Sequence, residues 1–188
     1  MTSATDGPGA PVFLIGPRGC GKSTIGAMAA GELKAVFFDT DCLVEAEAGQ
    51  SIEAIVESRG WPSFRDLESK ILAACARPGA IIATGGGAIL SDDNKRMMTA
   101  SGFVVYLVAP AACRDERLSR CPKAGQRPPL AVHDTAEERE PLYRALASHC
   151  LDAARPAPDV ALGLADLVRR LWALPDAQSR NQKDEHDQ

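Results

Sequence analysis

The sequence predicts an α/β domain with a mostly parallel β-sheet and helices on both of its faces. One observation is a series of short, almost wholly apolar runs, which is the pattern of strands buried on both sides. These runs span 12–15, 36–38, 80–83 and 103–108, with a fifth candidate at 149–151. The other observation is that longer segments between the runs place apolar residues at helical spacing. Strands that alternate with helices form right-handed βαβ units and therefore parallel strands.

The helical segments show separate apolar faces. Three of these faces are formed by Ile52, Ile55 and Val56, by Phe64, Leu67, Ile71 and Leu72, and by Val160, Leu164, Leu167, Val168 and Leu171. A further helical run at 25–33 comes soon after the first strand. Parallel sheets of this kind bind ligands beyond the carboxyl ends of their strands, so the residues that follow each strand are the candidates for a functional site.

Length and composition fit one globular domain. The chain has 188 residues, of which 45% are hydrophobic and 24% charged, and its formal charge is −4. We predict a flexible leader at 1–10, a single domain at 11–174 and a disordered polar tail at 175–188. The acidic balance gives no reason to expect nucleic acid as a partner, and no apolar run is long enough to span a membrane. The leader has neither the basic start nor the apolar centre of a secretion signal.

Cysteine usage indicates a reducing compartment. The six cysteines form no CxxC pair, so reduced thiols are a better interpretation than a metal or disulfide framework. They are Cys20, Cys42, Cys75, Cys113, Cys121 and Cys150. We therefore expect a cytoplasmic protein.

A phosphate-binding sequence follows the first strand directly. The residues GPRGCGKST at 16–24 match the pattern G-x-x-x-x-G-K-[ST] and lead into the helical run. Glycines let such a loop turn its N–H groups toward phosphate oxygens, and the helix adds the positive end of its dipole. Lys22 adds a charge for the β- and γ-phosphates, and Ser23 supplies a hydroxyl to Mg²⁺. The predicted nucleotide contacts in the loop are Gly19, Cys20, Gly21, Lys22, Ser23 and Thr24.

Two pairs of charged residues are candidates for binding the molecule that accepts the phosphate. Asp39 and Asp41 end the second strand, and alternation in an extended segment would send both carboxylates to one side. One would then face the metal and the other a substrate hydroxyl; the alternative is a solvated acidic turn. Arg65 and Glu68 are three residues apart on a predicted helix. This pair is either an arginine held ready for an anion or an ordinary surface ion pair.

Glycines and further arginines extend the acceptor side. The residues TGGG at 84–87 follow the third strand, and a ligand close to the main chain would explain three consecutive glycines. Arg127 lies in a polar stretch with several prolines. Such a stretch is typical of a flap whose arginine reaches the transferring phosphate, and a basic surface loop is the alternative. Arg139 is another candidate contact for an anion.

Taken in order, these segments resemble the shikimate kinases over roughly residues 12–172. The motifs are GPRGCGKST, DTD at 39–41, FRDLE at 64–68, ATGGG at 83–87, QRPPL at 126–130 and EREPLY at 138–143. The first of them is especially similar to a bacterial isozyme with GPRGCGK. The resemblance implies a three-layer P-loop kinase fold of the nucleoside-monophosphate-kinase type. It also implies a five-stranded parallel sheet in the order 2-3-1-4-5, a lid at about 121–134 and a monomeric enzyme.

The resemblance implies a role for each acidic and basic residue of the acceptor side. Ser23 and Asp39 would hold Mg²⁺. Asp41 would receive the acceptor hydroxyls of shikimate and orient or deprotonate the one that attacks. Arg65 and Arg139 would clamp the carboxylate of shikimate.

The remaining substrate contacts come from the residues around this clamp. By resemblance, Glu68 would fix Arg65, and the backbone of Gly86 and Gly87 would contact the substrate. The implied reaction is ATP + shikimate → ADP + 3-phosphoshikimate, with Mg²⁺ as the cofactor.

On the nucleotide side, the resemblance makes Arg127 the lid arginine, which would join Lys22 at the ATP phosphates. Arg117 would pack on the adenine, and Arg155 would lie on the other side of that pocket. The sequence departs from the family pattern in one place, between Arg127 and Arg139. This segment is shorter than in familiar members by roughly two helical turns, which keeps the helical phase within about 20°. We therefore expect Arg139 still to face the cleft.

Two other functions fit parts of the pattern. One is a small-molecule kinase of the same fold that acts on another hydroxy acid such as gluconate, although the TGGG turn and the DTD carboxylate argue against it. The other is a catalytically silent nucleotide-binding module, although the expected catalytic side chains Lys22, Asp41 and Arg127 are all present. An assay of ATP turnover with and without shikimate separates the three functions.

Overall fold

One parallel β-sheet lies at the centre of the computed structural model, which describes residues 9–120 and 135–173. The five strands are β1 (Val12–Ile15), β2 (Val36–Asp39), β3 (Ala80–Ala83), β4 (Phe103–Val108) and β5 (His149–Asp152). Their order in the sheet is β2-β3-β1-β4-β5, and every neighbouring pair is parallel. The predicted parallel sheet is confirmed, including its strand order and the fifth strand.

Seven α-helices connect the strands in the part of the chain that the structure describes. They are α1 (Lys22–Leu33), α2 (Thr40–Ala48), α3 (Ile52–Cys75), α4 (Asp92–Ser101), α5 (Ala111–Ser119), α6 (Ala136–Leu146) and α7 (Ala157–Trp172). A short 3₁₀ turn at Ala88–Leu90 precedes α4. The helical faces predicted from the spacing lie in α3 and α7, as expected.

Gly60 divides α3 into two helical sections. Its φ of 76° and ψ of 167° lie outside the helical region, in a conformation that glycine reaches readily. Pro62 follows in the first turn of the second section, where a missing N–H costs no helical hydrogen bond. The second section carries Arg65 and Glu68, and both side chains line a cavity beside the sheet.

Alternate residues of β1 point to opposite faces of the sheet, and helices cover each face. Val12 and Leu14 pack against residues of α1 and α7 on one face. Phe13 and Ile15 pack against residues of α3, α4 and α6 on the other face. All four side chains are fully buried, which explains why the strand is apolar throughout. The sheet between two helical layers confirms the predicted three-layer α/β fold.

Several predicted segments lie outside the described residues. These are the lid at 121–134 with Arg127, the tail at 175–188 and the part of the leader at 1–8. Within the described ranges, no helix is both long enough and apolar enough to cross a membrane. The five cysteines in these ranges are free thiols.

The last two residues of the predicted leader contact the folded domain. The carbonyl oxygen of Gly9 accepts a 2.6 Å hydrogen bond from the N–H of Gly79. The carbonyl oxygen of Ala10 accepts a 2.8 Å bond from the indole of Trp172. These two hydrogen bonds attach residues 9 and 10 to the domain, and the flexible leader stays a prediction.

Candidate active site

The phosphate loop joins β1 to α1 through backbone conformations that favour glycine. Gly16, Gly19 and Gly21 have φ values of 142°, 80° and 103°. A Cβ atom on Gly19 would lie 2.9 Å from the carbonyl oxygen of Arg114, and one on Gly21 would lie 2.8 Å from Cδ1 of Ile25. The sequence attributed these glycines to the space that a phosphate needs. The chain's own conformation and packing also require them.

Lys22 begins α1, and its ammonium group lies on the loop. Nζ donates to the carbonyl oxygens of Gly16 at 2.7 Å and Pro17 at 3.1 Å, and the sulfur of Cys20 lies 3.7 Å away. The Cys20 side chain is fully buried. Cys20 therefore packs in the core, and its backbone N–H donates to the carbonyl oxygen of Pro17 at 3.3 Å.

A cavity of about 560 Å³ opens over the phosphate loop. From the loop it is lined by Gly19, Gly21, Lys22, Ser23 and Thr24. Asp39 lines it from β2, and its Oδ2 accepts a hydrogen bond from the Ser23 hydroxyl. Hydroxyl and carboxylate oxygens are hard ligands of the kind that Mg²⁺ prefers. Residues 9–120 and 135–173 contain no cluster of three or more His, Cys, Asp or Glu side chains that could hold a metal ion.

The backbone around Asp39 and Asp41 differs from the extended segment that was predicted. Asp39 ends β2 and caps α2, because its Oδ1 accepts hydrogen bonds from the N–H groups of Asp41 at 3.1 Å and Cys42 at 3.3 Å. Asp41 therefore lies in the first turn of a helix and not in an extended segment. The alternation argument was wrong for this reason. Both aspartates nevertheless line the cavity over the phosphate loop, and Asp41 also lines a second cavity.

This second cavity, here called the acceptor cavity, has a volume of about 280 Å³. Arg65 and Glu68 line it from α3, and they form an ion pair with 2.7 Å between Nη1 and Oε2. The predicted pair is thus present and lies in a cavity. Burial raises the pKa of Glu68, and the positive charge of Arg65 opposes this rise. The Arg65 guanidinium also lies 5.1 Å from the ring centres of both Trp61 and Phe64, so aromatic rings help to fix its orientation.

The glycines after β3 allow these side chains to approach the backbone. A Cβ atom on Gly85 would collide with the carboxylate of Glu68, and one on Gly87 would collide with the guanidinium of Arg65. A Cβ on Gly86 would meet nothing closer than the Gly16 carbonyl oxygen, at 3.6 Å. For Gly85 and Gly87, the protein's own side chains therefore explain the glycines that the sequence attributed to a ligand.

Arg139 enters the acceptor cavity from α6 and is almost completely buried. Its Nη1 donates to the carbonyl oxygen of Gly86 at 3.2 Å, and the hydroxyl of Tyr143 donates to the same oxygen at 2.6 Å. A capping box formed by Thr135 and Glu138 begins the helix. Arg139 therefore faces the cleft, and the shortened segment before it lies mostly outside the described residues.

The Tyr143 ring fixes α6 against β4. It stacks on Tyr106 with ring centres 5.2 Å apart. The Tyr106 hydroxyl donates to Oε2 of Glu140 at 2.9 Å. Burial and this carboxylate raise the pKa of Tyr106 well above its usual range, so its hydroxyl keeps its proton.

Arg117 and Arg155, the two residues predicted to lie beside the adenine, differ from each other in burial and contacts. Arg117 lines the cavity over the phosphate loop and donates to the carbonyl oxygens of Cys20 at 3.1 Å, Ala153 at 2.7 Å and Arg155 at 3.3 Å. The Arg155 side chain is exposed and lies 3.7 Å from Asp159. Arg155 thus joins this network through its backbone carbonyl.

The sequence missed several residues that line the acceptor cavity. They are Pro17, Arg18, Ile52, Trp61, Phe64, Arg114, Leu118, Ala136 and Tyr143, together with Gly85 of the glycine turn. Trp61 and Tyr143 lie four residues from Arg65 and Arg139, so helical neighbours of the predicted arginines were an available signal. Arg114 gave no such signal, because nothing in its own helix was a predicted acceptor contact.

Comparisons of the sequence and of the fold with known proteins identify the family of this chain. The family model described as shikimate kinase matches residues 18–169. A relative named shikimate kinase 2, from Enterobacter sp. (strain 638), is 42% identical over 166 residues, which are 85% of this chain and 95% of the relative. A solved structure of shikimate kinase from Acinetobacter baumannii in complex with shikimate has a TM-score of 0.76 and 32% identity, covering 86% of this chain and 94% of that one. This chain therefore belongs to the shikimate kinase family.

Proposed function

We propose that this chain is a shikimate kinase, which transfers the γ-phosphoryl group of ATP to the 3-hydroxyl of shikimate. The observation that carries the proposal is the position of Asp41, which lines both the cavity over the phosphate loop and the acceptor cavity. A phosphoryl donor in one cavity and an alcohol in the other would meet beside this carboxylate. Family membership supports the identity of the acceptor.

The charges of the acceptor cavity suit a small ring that carries one carboxylate. Arg65 and Arg139 supply two guanidinium groups, which are suited to binding a carboxylate through paired hydrogen bonds. Glu68 neutralises part of the charge of Arg65 and holds it in place. Asp41 adds an acceptor for substrate hydroxyls at the end that faces the phosphate loop.

Residues of the phosphate loop would bind the nucleotide and its metal. Ser23 and Asp39 would hold Mg²⁺, which supplies positive charge to the phosphates when it is bound. Lys22 would exchange its bonds to the loop carbonyls for bonds to the β- and γ-phosphates. Arg117 would lie near the base, since it lines the same cavity.

Catalysis would then consist of positioning and charge stabilisation. Asp41 would accept a hydrogen bond from the attacking hydroxyl and orient it in line with the γ-phosphate. Lys22 and the N–H groups of the loop would stabilise the negative charge of the transferring group. We also assign the lid arginine to Arg127, which lies outside the described residues.

The enzyme would act as a monomer in the cytoplasm. Both substrates are small molecules, and ATP is available in the cytoplasm.

The proposal is tested by measuring ADP release with a panel of acceptors. The panel contains shikimate, quinate, gluconate and nucleoside monophosphates, each with ATP and Mg²⁺. We expect shikimate to give the largest kcat/KM by about an order of magnitude or more, because gluconate is an open chain and a nucleoside monophosphate is larger and carries a phosphate in place of the carboxylate. Equal or faster turnover of gluconate or a nucleoside monophosphate would refute the proposal.

A further inference from the structure

Arg114 is an arginine of the acceptor cavity with no part in the site as described so far. It lies on α5, one helical turn before Leu118, and both side chains line this cavity. Only 12% of the Arg114 side chain is exposed, compared with 25% of the Arg65 side chain. A guanidinium group that is withdrawn from water to this extent needs partners for its N–H groups.

One partner of Arg114 is Glu137, at the start of α6. Nη2 of Arg114 donates to Oε1 of Glu137 at 2.7 Å. Glu137 itself is 67% exposed, so water and salt weaken this ion pair. The Nε atom of Arg114 is buried and has no hydrogen-bond partner within residues 9–120 and 135–173. Buried donors without a partner are rare in proteins, and an oxygen atom of a ligand in the cavity would satisfy this one.

The backbone of Arg114 packs against the phosphate loop. Its carbonyl oxygen lies 2.9 Å from the position that a Cβ atom would take on Gly19. Leu118, which follows on the same face of α5, lines both cavities. Arg65, in contrast, lies against Gly87 beyond β3. The two arginines therefore enter the acceptor cavity from different elements, and Arg114 enters from α5, which packs against the phosphate loop.

We propose that Arg114 is a further arginine of the acceptor site, which binds the phosphoryl group once the acceptor carries it. This inference rests on the proposed function, in which Arg65 and Arg139 already take the carboxylate. Substrate and product differ by one dianionic phosphate group. A guanidinium near the phosphate loop, with an unused buried Nε–H, matches that difference in charge and in hydrogen-bond acceptors. Glu137 is then the exposed carboxylate that pairs with Arg114 until the phosphoryl group is present.

The experiment compares the affinities of the full-length chain for shikimate and for 3-phosphoshikimate by isothermal titration calorimetry. In Arg114→Met, affinity for the phosphorylated ligand should fall by about tenfold or more, the effect of losing one charge-assisted hydrogen bond. Affinity for shikimate should change by less than about twofold, since the clamp is intact. Arg96→Met is the matched control, because Arg96 is an exposed arginine paired with an acidic residue on α4.

Glu137→Gln separates phosphate binding from a merely structural link between α5 and α6. This variant removes the ion pair but retains Arg114, so affinity for 3-phosphoshikimate should be unchanged or higher. A structural link predicts instead that Arg114→Met and Glu137→Gln weaken both ligands and lower the melting temperature equally, which would overturn the proposal. Unchanged affinity of folded Arg114→Met for 3-phosphoshikimate would also overturn it.

Two further measurements keep the test decisive. If Arg114→Met does not fold, Arg114→Lys replaces it, because lysine keeps the charge but has no Nε–H. That variant must also bind 3-phosphoshikimate more weakly than the wild type, and equal affinity would refute the proposal. Turnover of shikimate by the wild type is measured in parallel. Its absence would refute the proposed function, whereas normal turnover with unaltered Arg114 variants would refute the present inference alone.

Discussion

Removal of the Arg139 side chain should subtract one substrate contact and leave the surrounding structure in place. The side chain is almost completely buried, and its Nη1 lies 3.2 Å from the carbonyl oxygen of Gly86. In Arg139→Ala this oxygen still accepts the 2.6 Å hydrogen bond from Tyr143. The capping box of Thr135 and Glu138 that begins α6 is also unchanged. We therefore expect a folded enzyme with half of its carboxylate clamp.

The expected magnitude follows from the contact that is lost. A hydrogen bond to a charged group contributes about 1.5 to 3 kcal/mol, which is a factor of about 10 to 150 in affinity. Because Arg65 remains paired with Glu68 in the cavity, we expect the KM for shikimate to rise within this range and not beyond it. The KM for ATP should change by less than about twofold, since Arg139 lines the acceptor cavity but not the cavity over the phosphate loop.

The assay measures ADP release while shikimate is varied at saturating ATP, and then while ATP is varied at saturating shikimate. Arg144→Ala is the matched control, because Arg144 is a half-exposed arginine on the same helix that pairs with Glu140. If Arg139→Ala folds and its KM for shikimate is the same as that of the wild type, the assignment of Arg139 to the clamp is wrong.

Three further predictions concern other parts of the site. Asp39→Asn should raise the Mg²⁺ concentration needed for half-maximal activity by about tenfold, because Asn supplies no charge beside Ser23. A metal titration measures this concentration, and unchanged affinity for Mg²⁺ would contradict the metal assignment. In Glu68→Gln the buried charge is absent. Burial raises the pKa of Glu68, so the wild type should lose melting temperature relative to this variant as the pH rises through and above the usual carboxyl range, and parallel curves would contradict the pKa shift. Gly87→Ala should displace the Arg65 guanidinium and raise the KM for shikimate by about tenfold or more, with little change in the melting temperature; an unaltered KM would show that Arg65 adapts without cost.

The sheet and the phosphate loop could be predicted because their signals are local. Strands buried on both faces need apolar side chains throughout, so runs such as 103–108 are visible without knowledge of their neighbours. The loop at 16–24 combines a strand, a glycine pattern and a helix in one continuous segment. Arg139 could be placed because whole helical turns preserve the phase of a helix.

Other features depend on contacts between distant parts of the chain. The boundary at Asp39 is set by hydrogen bonds between its carboxylate and the next helical turn, which the alternation of residues cannot show. The reasons for Gly85 and Gly87 lie in side chains of α3, about twenty residues earlier in the chain. The ion pair of Arg114 with Glu137 joins residues on two helices that the sequence separates by the segment 121–134.

The most direct test of the account is the turnover of Asp41→Asn, because Asp41 connects the two cavities. Its backbone N–H, which donates to Asp39, is unaltered in this variant, so the start of α2 should be preserved. If the carboxylate orients the attacking hydroxyl, kcat should fall by about 10² to 10⁴. The affinity for ATP, measured by calorimetry without shikimate, should remain that of the wild type. A variant that retains more than about half of the wild-type kcat would show that Asp41 takes no part in the transfer and would contradict the central claim.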